Sequence, residues 1–481
     1  MHFFLFHRDL RLIDNTTLIY QLKKLKKSED IISIFIFPPE QIDPKKNDYF
    51  SNNSVQFMID SLHELSDDIK KKNGKMYFFK GDTMDVLKAI HKKVNIESIG
   101  YNLDYTPYAR KRDNDIRTWC NESEIACYEK EDYLLYDLLE GATKKADDTP
   151  YLVYTPFLNH CLTNLKVRPI DKFKKFKFKK SQELKNIKYY IKENTIDNFY
   201  EENPDINVHG GRIAGLAILK GLGKFTDYAE KRDTLTYRTT QLSAYNHFSC
   251  VSIREVYFKI LEKLGKKSNI IRELIWRDFF SNIIYFFPKV LAGQLARQKS
   301  KCLDEKYEKI KWSYNKKIFE KWCQGQTGYV MVDAAQRELI ATGYMHNRAR
   351  LVVSGFLVKH LQIYWRWGEK WFANNLVDYS PMMNEHNWEF AVGSGASSSP
   401  YFRIMSPIIQ LQKFDPNCDY VRKWLPELNS LSNEEILNWH KPEIHEKYLK
   451  ELKDKINYYA PIVDHDEQRK KILKLYRDAL K

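Results

Sequence analysis

The sequence predicts two domains of different class: an N-terminal α/β domain with a doubly wound parallel sheet, followed by an all-α domain. In the first part, short apolar runs alternate with helical stretches, which is typical of βαβ units. In the second part, apolar residues recur at helical spacing between polar loops. We place the α/β domain at 1–135, a Lys-rich connection at 136–200 and the helical domain at 201–481.

Four apolar runs are the candidate strands of the α/β domain: "FFLF", "IISIFIF", "MYFF" and "SIGYN". Between the second and the third, residues 55–72 form a predicted helix, because Met58, Leu62, Leu65 and Ile69 fall on one face. No GxGxxG motif follows the first strand, so a dinucleotide need not bind there.

The connection carries a Lys-rich segment, "KFKKFKFKKSQELKNIKYYIK" (172–192), which interleaves Lys with Phe and Tyr without a clear period. A solvated linker explains this segment better than a nucleic-acid-binding stripe, because charge runs are usually solvated surfaces. Both interpretations stay open.

Four segments of the second half are predicted helices: "SIREVYFKILEKLG", "ELIWRDFFSNIIYFF", "GYVMVDAAQRELIAT" and "ARLVVSGFLVKHLQIYW". Polar loops separate them, and no internal repeat is visible. The pattern therefore predicts an all-α domain.

Composition restricts the class of protein. Of the 481 residues, 43% are hydrophobic, which supports sizeable cores, and we expect a soluble globular protein. Without a signal peptide or an apolar run of about 18 residues, an intracellular protein that is not secreted is expected. The net charge of +15 favours a polyanionic partner. The seven Cys form no CxxC pair, so we expect reduced thiols and no structural metal site.

The stretch "TGYMHNRARLVV" (342–353) places a His, an Asn and two Arg within an otherwise apolar pattern. Because Met345, Leu351 and Val352 predict a core helix, its polar face must meet hydrogen-bonding groups. A helix start with solvated polar residues is the simpler alternative, and this stretch alone does not decide between them.

Three further stretches have polar groups suited to a ligand. "TTQLSAYNHFS" (239–249) suits a phosphate at backbone N–H groups, or ordinary helix capping. "ELIWRDFF" (273–280) puts Glu273 and Trp276 on one helical face, which a core-edge helix explains nearly as well. The Gly/Ser end of "LVDYSPMMNEHNWEFAVGSGASSSPYFR" (376–403) can admit a ligand close to the backbone or be a linker.

Several motifs, in their order and separations, resemble the photolyase and cryptochrome flavoprotein family: "FHRDLRLIDN", "TTQLS", "ELIWRDFF", "GYVMVDA", "TGYMHNRARLVVSGFLVKHL", "PYFRIMSP" and "KFDP". The resemblance runs from about residue 2 to residue 476 and is closest to class I-like cyclobutane pyrimidine dimer (CPD) DNA photolyases. It implies an α/β antenna-type domain joined to a helical FAD-binding catalytic domain. It also implies light-dependent DNA repair, in which reduced FAD lends an electron to the lesion.

The resemblance implies a set of FAD-binding residues. Arg350 and Asp378 match the ion pair beside the flavin ring, and Asn384 matches the residue that faces flavin N5. Ser380 stands where many members have Asp at the flavin edge, so we expect altered flavin tuning but retained binding. The residues that match the phosphate side are Tyr228, Thr239, Thr240, Gln241, Leu242 and Ser243.

Three tryptophans match the chain that carries an electron from the surface to the flavin in this family: Trp312, Trp365 and Trp388. Such a chain requires indole rings that are near neighbours. Without the resemblance, each would be interpreted as a core residue.

The resemblance also implies lesion contacts. Glu273 and Asn347 match catalytic groups that hydrogen-bond the linked pyrimidines, and Trp276 matches a residue that stacks on the flipped dimer. The (6-4) photolyases carry His where this chain has Asn347 and Leu351, so that reaction has no evident proton donor and we expect CPD repair. Leu351 and Phe390 replace the usual Met and Trp but keep an apolar wall. Other DNA contacts are expected from Arg232, Arg277, Arg348 and Gln410.

Two other functions stay open: a cryptochrome-type blue-light photoreceptor and a DASH-type single-strand photolyase. The chain ends soon after the photolyase-like tail, whereas signalling cryptochromes usually have a long extension, which favours the enzyme. We expect a monomer that acts on UV-damaged DNA without a membrane partner. The antenna chromophore is open between methenyltetrahydrofolate, a deazaflavin and none, because Pro107 and Tyr108 replace the Asn-Glu pair of folate-binding members.

Overall fold

The four predicted strands all form, and two further strands join them. The computed structural model describes residues 1–26, 29–173, 176–291, 300–398, 400–451 and 458–481. The sheet within these residues has six strands in the order β5-β4-β1-β2-β3-β6. They are β1 (His2–Phe6), β2 (Ile31–Phe37), β3 (Met76–Lys80), β4 (Ser98–Asn102), β5 (Ala126–Lys130) and β6 (Tyr190–Ile191).

Strands β1 to β5 are parallel, as predicted, whereas β6 pairs antiparallel with β3. The two strands that the apolar runs do not predict lie at the two edges of the sheet. The β5 side chains are exposed or half-buried, so its sequence has no apolar run. β6 is only two residues long and comes from the predicted connection.

Helices cover both faces of the sheet, which confirms the doubly wound arrangement. Phe4 of β1 belongs to one core cluster with Leu62, and Phe3 belongs to another with Ile90 and Ile116. Alternate residues of one strand thus face opposite cores. The covering helices are α1 (Thr16–Lys24), α2 (Pro39–Ile42), α3 (Asn52–Lys70), α4 (Thr83–Val94) and α5 (Pro107–Glu122).

The rest of the chain is helical, as predicted. The predicted connection contains α6 (Tyr154–Asn164). The first part of the helical region contains α7 (Arg212–Lys220), α8 (Tyr228–Lys231), α9 (Ser243–His247), α10 (Ile253–Leu264), α11 (Asn269–Phe286), α12 (Lys316–Cys323) and α13 (Val330–Thr342). It continues with α14 (Asn347–Gly355), α15 (Trp365–Asn375), α16 (Pro381–Val392), α17 (Pro407–Phe414), α18 (Asp419–Trp424), α19 (Asn433–Leu437), α20 (Pro442–Glu451) and α21 (His465–Leu480).

One predicted helix is wrong, because "ARLVVSGFLVKHLQIYW" does not form a continuous helix. After Gly355 the chain continues as a π-helix over Phe356–His360. Gln362 then has a φ of 56°, which a right-handed helix does not accommodate, and Trp365 begins a separate helix, α15.

The predicted connection packs against both domains. Phe157 of α6 lies on Phe279 of α11, with ring centroids 5.3 Å apart, while β6 extends the sheet. In the Lys-rich segment, Phe178 is buried and forms a bridge with Ile31 of β2. Residues 174–175 of that segment lie outside the described residues. The segment is thus anchored to the sheet by an aromatic side chain.

A buried ion cluster joins the two domains. Asp132 accepts hydrogen bonds from Arg11 at 2.7 Å and from Arg254 of α10 at 2.8 Å. Arg254 also donates to Asp14 at 2.7 Å. Since each charge has a partner of opposite sign, the cluster satisfies the requirement for burying charges.

All seven cysteines are free, and six of them are buried while Cys127 is half-buried. This agrees with the reduced thiols expected from the sequence. No helix in the described parts of the chain has both the length and the apolar character needed to cross a membrane.

Candidate active site

A cavity of about 500 Å³ in the helical domain brings together residues that are far apart in the sequence. This volume is within the usual range for ligand sites. Predicted cofactor residues on its walls are Tyr228, Thr239, Thr240, Gln241, Leu242, Ser243, Arg350, Asp378 and Ser380. Predicted catalytic and lesion residues on its walls are Glu273, Asn347, Arg232, Trp276, Arg277, Arg348, Leu351 and Phe390.

One face of α11 supplies the first wall. Ser268 caps this helix by accepting a hydrogen bond from the N–H of Ile270. Glu273, Trp276 and Arg277 lie at positions i, i+3 and i+4, so their side chains project from the same face. The local helical spacing thus positions a carboxylate, an indole and a guanidinium together.

The "TGYMHNRARLVV" motif supplies the opposite wall. The helix begins at Asn347, and His346 caps it by accepting a hydrogen bond at Nδ1 from the N–H of Arg348. Asn347, Arg350 and Leu351 therefore share one face, which lines the cavity. Burial lowers the pKa of His346 to about 4, so this imidazole is neutral at physiological pH. The motif is a helix start in which Asn347 is exposed, whereas the side chains of His346 and Arg350 are bonded within the protein.

Arg350 and Asp378 form the predicted ion pair. The Arg350 Nη2 lies 3.0 Å from Asp378 Oδ2, and its Nε donates to the carbonyl of Met345 at 2.8 Å. Nearby, the Ser380 Oγ is buried and has no hydrogen-bond partner within the described residues. The site thus presents a fixed guanidinium and an unsatisfied hydroxyl to the cavity.

Residues 239–242 form a loop that leads into α9, which begins at Ser243. Gln241 adopts a left-handed conformation with a φ of 54°, which turns the chain towards the cavity wall. The Thr239 hydroxyl lies 3.4 Å from the hydroxyl of Tyr344. The five predicted residues at 239–243 and Tyr228 therefore share one cavity with the Arg350–Asp378 pair.

Asn384 lies in a smaller adjoining cavity of about 70 Å³, which shares Asn347, Arg350 and Asp378 with the main one. The Asn384 amide nitrogen donates to the carbonyl of Glu369 at 2.9 Å and to its Oε1 at 3.2 Å. Burial raises the pKa of Glu369 to about 7. The Asn384 nitrogen is thus occupied, whereas its side-chain oxygen accepts no hydrogen bond from the residues that the structure describes and can accept one from a ligand.

Two of the predicted DNA-binding arginines are paired with acids at the cavity wall. Arg232 Nη1 lies 2.7 Å from Glu273 Oε1, and Arg348 Nη2 lies 2.6 Å from Asp233 Oδ2. Gln410 is outside the cavity lining but contacts Arg348, with 3.5 Å between Oε1 and Nη1. Burial raises the pKa of Glu273, and the charge of Arg232 opposes that shift.

Arg277 lies inside the cavity wall and not on an outer basic surface. Its side chain is only 10% exposed, and its guanidinium carbon lies 3.4 Å from the ring centroid of Tyr133. Its Nη1 lies 3.6 Å from Asp278 Oδ1, but neither Nε nor Nη1 has a hydrogen-bond partner in the described structure. Such a guanidinium is suited to an anionic group bound within the cavity.

The three predicted electron-transfer tryptophans lie at different depths. Trp388 and Trp365 are buried, whereas Trp312 is half-buried. The Trp388 indole packs against α15 at Gly368, which lies one turn after Trp365. The contact is so close that a Cβ atom at Gly368 would come within 2.2 Å of the indole. Another buried indole, Trp322, contacts Trp388 with a centroid distance of 6.2 Å.

The sequence assigns no site role to several lining residues. Tyr133, Asp233 and Ile270 lie outside the motifs, whereas the others lie within them: Asn246, His247, Leu274, Phe280, Tyr344, Met345, Met383 and Asn387. Some of these residues are sequence neighbours of predicted site residues. Asp233, for example, directly follows Arg232, and this adjacency could have indicated that it lies at the site. Tyr133 comes from the end of the α/β domain, and no local pattern indicates its contact with α11.

His247 places an imidazole in this wall. Burial and the charges of Arg8 and Arg277 lower its pKa well below the ordinary value. A neutral imidazole with so low a pKa is a poor proton donor near pH 7.

The residues present fit a bound flavin. The cavity combines the Arg350–Asp378 pair, the unsatisfied Ser380 hydroxyl and the Arg277 guanidinium, whose Nε and Nη1 have no hydrogen-bond partner in the described structure; together they match a polar ring edge and a phosphate. In the described parts of the chain, no group of His, Cys, Asp and Glu side chains could hold a metal ion.

A second cavity, of about 230 Å³, lies between the two domains. Leu5 of β1, Ile36 of β2 and Asp104, which follows β4, line it, so the cavity includes the strand ends at which the sheet order switches between β1 and β4. Parallel sheets bind ligands at such a switch point. Both ring nitrogens of His7, which also lines this cavity, lack a hydrogen-bond partner in the described structure.

Comparisons with known proteins agree with this geometry. Residues 3–176 match the profile of the DNA photolyase family, and residues 270–478 match that of the FAD binding domain of DNA photolyase. A deoxyribodipyrimidine photo-lyase of Agrobacterium fabrum is 31% identical over 98% of this chain and 96% of its own length. The corresponding protein of Alkalihalophilus pseudofirmus is 30% identical over 98% of this chain and 97% of its own length.

A solved structure shows the same fold. The archaeal photolyase from Sulfolobus tokodaii, solved with two FAD molecules, has a TM-score of 0.84 at 32% identity and covers 99% of both chains. The similarity therefore includes both domains. On the full-length identity and the matching domain profiles, this chain is an enzyme of the DNA photolyase family.

Proposed function

We propose that this enzyme splits cyclobutane pyrimidine dimers in UV-damaged DNA under light. The observation that carries the proposal is the single cavity in which Glu273, Asn347 and Trp276 share walls with the Arg350–Asp378 pair. Lesion-binding groups and cofactor-binding groups thus meet in one cavity that is open to solvent on one side. When bound and reduced, FAD supplies the light-excited electron there.

On the cofactor side of the cavity, separate residues are assigned to the flavin ring and to the phosphates. Arg350, fixed by Asp378, provides a cation at the flavin ring, and the free oxygen of Asn384 accepts a hydrogen bond from its edge. The buried hydroxyl of Ser380 gains a partner on binding. The residues assigned to the phosphate side are Tyr228, Thr239, Thr240, Gln241, Leu242 and Ser243.

The lesion side binds the flipped dimer. Glu273 and Asn347 form hydrogen bonds with the pyrimidine edges and stabilise the negative charge that develops on them. Trp276 stacks on the dimer, and Leu351 and Phe390 complete an apolar wall. Flipping costs a few kcal/mol, and least for a damaged base, which contributes to selectivity.

The DNA backbone binds at the cavity mouth. Arg232, Arg348 and Gln410 are the contacts we assign to phosphates, with the +15 net charge providing long-range attraction. Because Arg232 and Arg348 are already paired with Glu273 and Asp233, a phosphate must compete with those carboxylates. Arg277 is buried, and we assign it to an anionic group inside the cavity. We expect the enzyme to act as a monomer, inside the cell where DNA is.

The CPD is the favoured lesion over the (6-4) product. Asn347 and Leu351 provide no acid, and the nearby imidazoles of His247 and His346 have lowered pKa values. Neither can donate the proton that (6-4) repair requires near pH 7.

The deciding experiment exposes chemically reduced, FAD-loaded enzyme to blue light with three separate substrates: a duplex CPD, a single-stranded CPD and a duplex (6-4) product. We expect repair of the duplex CPD and no turnover of the (6-4) product. Glu273→Ala should lose repair while retaining FAD, whereas Glu443→Ala, an exposed control, should retain both.

Turnover of the (6-4) product would contradict the substrate assignment. Repair restricted to the single strand would favour a DASH-type enzyme, and FAD-loaded protein that repairs nothing would favour a photoreceptor.

We also propose that the interdomain cavity binds a light-harvesting chromophore with a flat aromatic ring system. The apolar strand ends suit an aromatic ring, and the unpaired His7 nitrogens suit its polar edge. The Sulfolobus tokodaii relative, with its two FAD molecules, makes a deazaflavin or flavin a better candidate than methenyltetrahydrofolate. Mass spectrometry of chromophores released from the purified protein tests this, and a folate would contradict it.

A further inference from the structure

Tyr154, in the first turn of α6, is stacked on Trp276. Their ring centroids are 3.5 Å apart and their planes differ by 9°. The Tyr154 hydroxyl donates to the carbonyl of Arg272 at 2.7 Å, so α11 itself holds the far end of the ring. Tyr154 is 7% exposed. A residue of the connection between the domains is thus built into the wall behind the lesion-binding indole.

The backbone around Tyr154 is anchored on its other side. The N–H of Tyr154 donates to the Ser397 Oγ at 3.3 Å, and the N–H of Ser397 donates to the carbonyl of Leu152 at 3.0 Å. Ser397 belongs to the Gly/Ser loop that follows α16. Tyr154 is therefore fixed between α11 and this loop.

The stacking determines which surface of Trp276 remains available. Phe279 packs on the indole at a centroid distance of 5.6 Å in a T-shaped arrangement, and Phe280 lies at 5.2 Å. Tyr154 covers one face of the indole. The opposite face is the one with which Trp276 can line the 500 Å³ cavity.

We propose that Tyr154 is a positioning residue for lesion recognition, which holds the Trp276 indole with one face presented to the flipped dimer. This rests on the proposed function, in which Trp276 stacks on that dimer. An indole that is already stacked has lost its rotational freedom before DNA binds, so binding does not incur that ordering cost. The dimer then completes a three-layer stack of Tyr154, Trp276 and pyrimidine, in which both faces of the indole are covered by a flat ring.

The test is a double-mutant cycle on dark binding of the FAD-loaded enzyme to duplex DNA with and without one thymine CPD. Tyr154→Leu should raise the Kd for CPD DNA about three- to tenfold and leave the Kd for undamaged DNA unchanged. Tyr154→Phe should retain affinity close to that of the wild type, because it keeps the ring. Tyr151→Leu is the matched control, since Tyr151 contacts Phe157 and His160 but not Trp276.

The cycle separates positioning from general stabilisation. In a Trp276→Ala background, Tyr154→Leu should have no further effect on CPD affinity. Additive effects, equal weakening for undamaged DNA, or failure of Phe to restore affinity would each overturn the proposal. The FAD content and the thermal midpoint of each variant check that it folds. If Tyr154→Leu does not fold, Tyr154→His replaces it. Because His has a smaller planar ring, its Kd for CPD DNA should lie between that of the wild type and the raised value expected for Tyr154→Leu.

The failure of this inference can be distinguished from the failure of the proposed function. If Trp276→Ala does not alter CPD affinity, the stacking role of Trp276 is wrong, and the proposed function is contradicted at this residue. If Trp276→Ala weakens CPD binding but Tyr154→Leu does not, only the positioning role is overturned.

Discussion

Arg232 and Glu273 form an ion pair at the wall of the active-site cavity, with 2.7 Å between Nη1 and Oε1. The pair links a residue assigned to DNA binding with a residue assigned to catalysis. Burial raises the pKa of Glu273, and Arg232 is the main charge that opposes this rise. Because both side chains are partly exposed, solvent and salt screen their interaction.

The first prediction concerns this pair. Arg232→Ala removes the cation that favours the ionised carboxylate, so the pKa of Glu273 should rise further. The midpoint of the pH dependence of repair by reduced enzyme should therefore move to higher pH. Glu273→Gln should abolish that midpoint while preserving the shape of the side chain. A midpoint that stays in place or falls in Arg232→Ala would show that another group titrates.

The second prediction concerns cofactor retention. Asp378→Ala leaves Arg350 without its partner beside the flavin ring, so FAD affinity should fall by about tenfold or more. The measurement is the FAD-to-protein absorbance ratio during dialysis. Glu427→Ala is the control, because it breaks a comparable pair with Arg337 outside the described cavities. Equal FAD loss in both variants would indicate a general loss of stability.

The third prediction separates photoreduction from repair. Trp388→Phe should block light-driven reduction of the oxidised cofactor, since phenylalanine is much harder to oxidise than tryptophan. Repair by chemically reduced enzyme should persist. Trp439→Phe replaces another buried indole that does not contact Trp388, and it should leave both activities intact. Loss of both activities in Trp388→Phe would mean that this residue is structural.

The fourth prediction concerns the stability of the domain interface. Arg11 and Arg254 hold the pKa of Asp132 below its ordinary value despite burial. The resulting stabilisation is complete above about pH 4, the ordinary pKa of Asp, and is lost as the pH falls below it. Asp132→Asn should lower the free energy of unfolding at pH 7 by about 3–5 kcal/mol, because it leaves buried guanidinium charge uncompensated.

Urea unfolding at pH 7 and at pH 3.5 measures this effect. The difference between wild type and Asp132→Asn should begin to shrink at the lower pH, because the unfolded wild-type chain then binds a proton that the ion-paired Asp132 of the folded protein does not. Asp147→Asn is the control, since Asp147 is exposed and accepts a hydrogen bond from the neighbouring Thr149 hydroxyl. A difference that is constant with pH would contradict the ionic origin of the stabilisation.

Much of the fold could be predicted from local patterns. The runs "IISIFIF" and "SIGYN" form strands as expected, because buried strands require continuous apolar residues. The spacing of Glu273, Trp276 and Arg277 places them on one face of a helix whatever the rest of the chain does. The family motifs added the expectation that this face meets the Arg350–Asp378 pair, and the two walls do share a cavity.

Other features depend on contacts between distant segments. β5 and β6 lie at the sheet edges, where exposure removes the apolar signal. The pairing of Arg232 with Glu273 and the contact of Tyr133 with Arg277 join separate elements, and no local periodicity encodes such partners. The stacking of Tyr154 on Trp276 is of the same kind, with α6 and α11 separated by more than a hundred residues.

The sequence by itself determined the two-domain class, most of the elements and the residue types of the active site, because strand and helix formation follow local periodicity and capping. Only the tertiary structure decided which face of Trp276 is open, which arginines are neutralised by acids, and that Arg277 is buried. These properties arise when packing brings distant side chains within a few ångströms of each other. At that range, burial and pairing set charge, orientation and access.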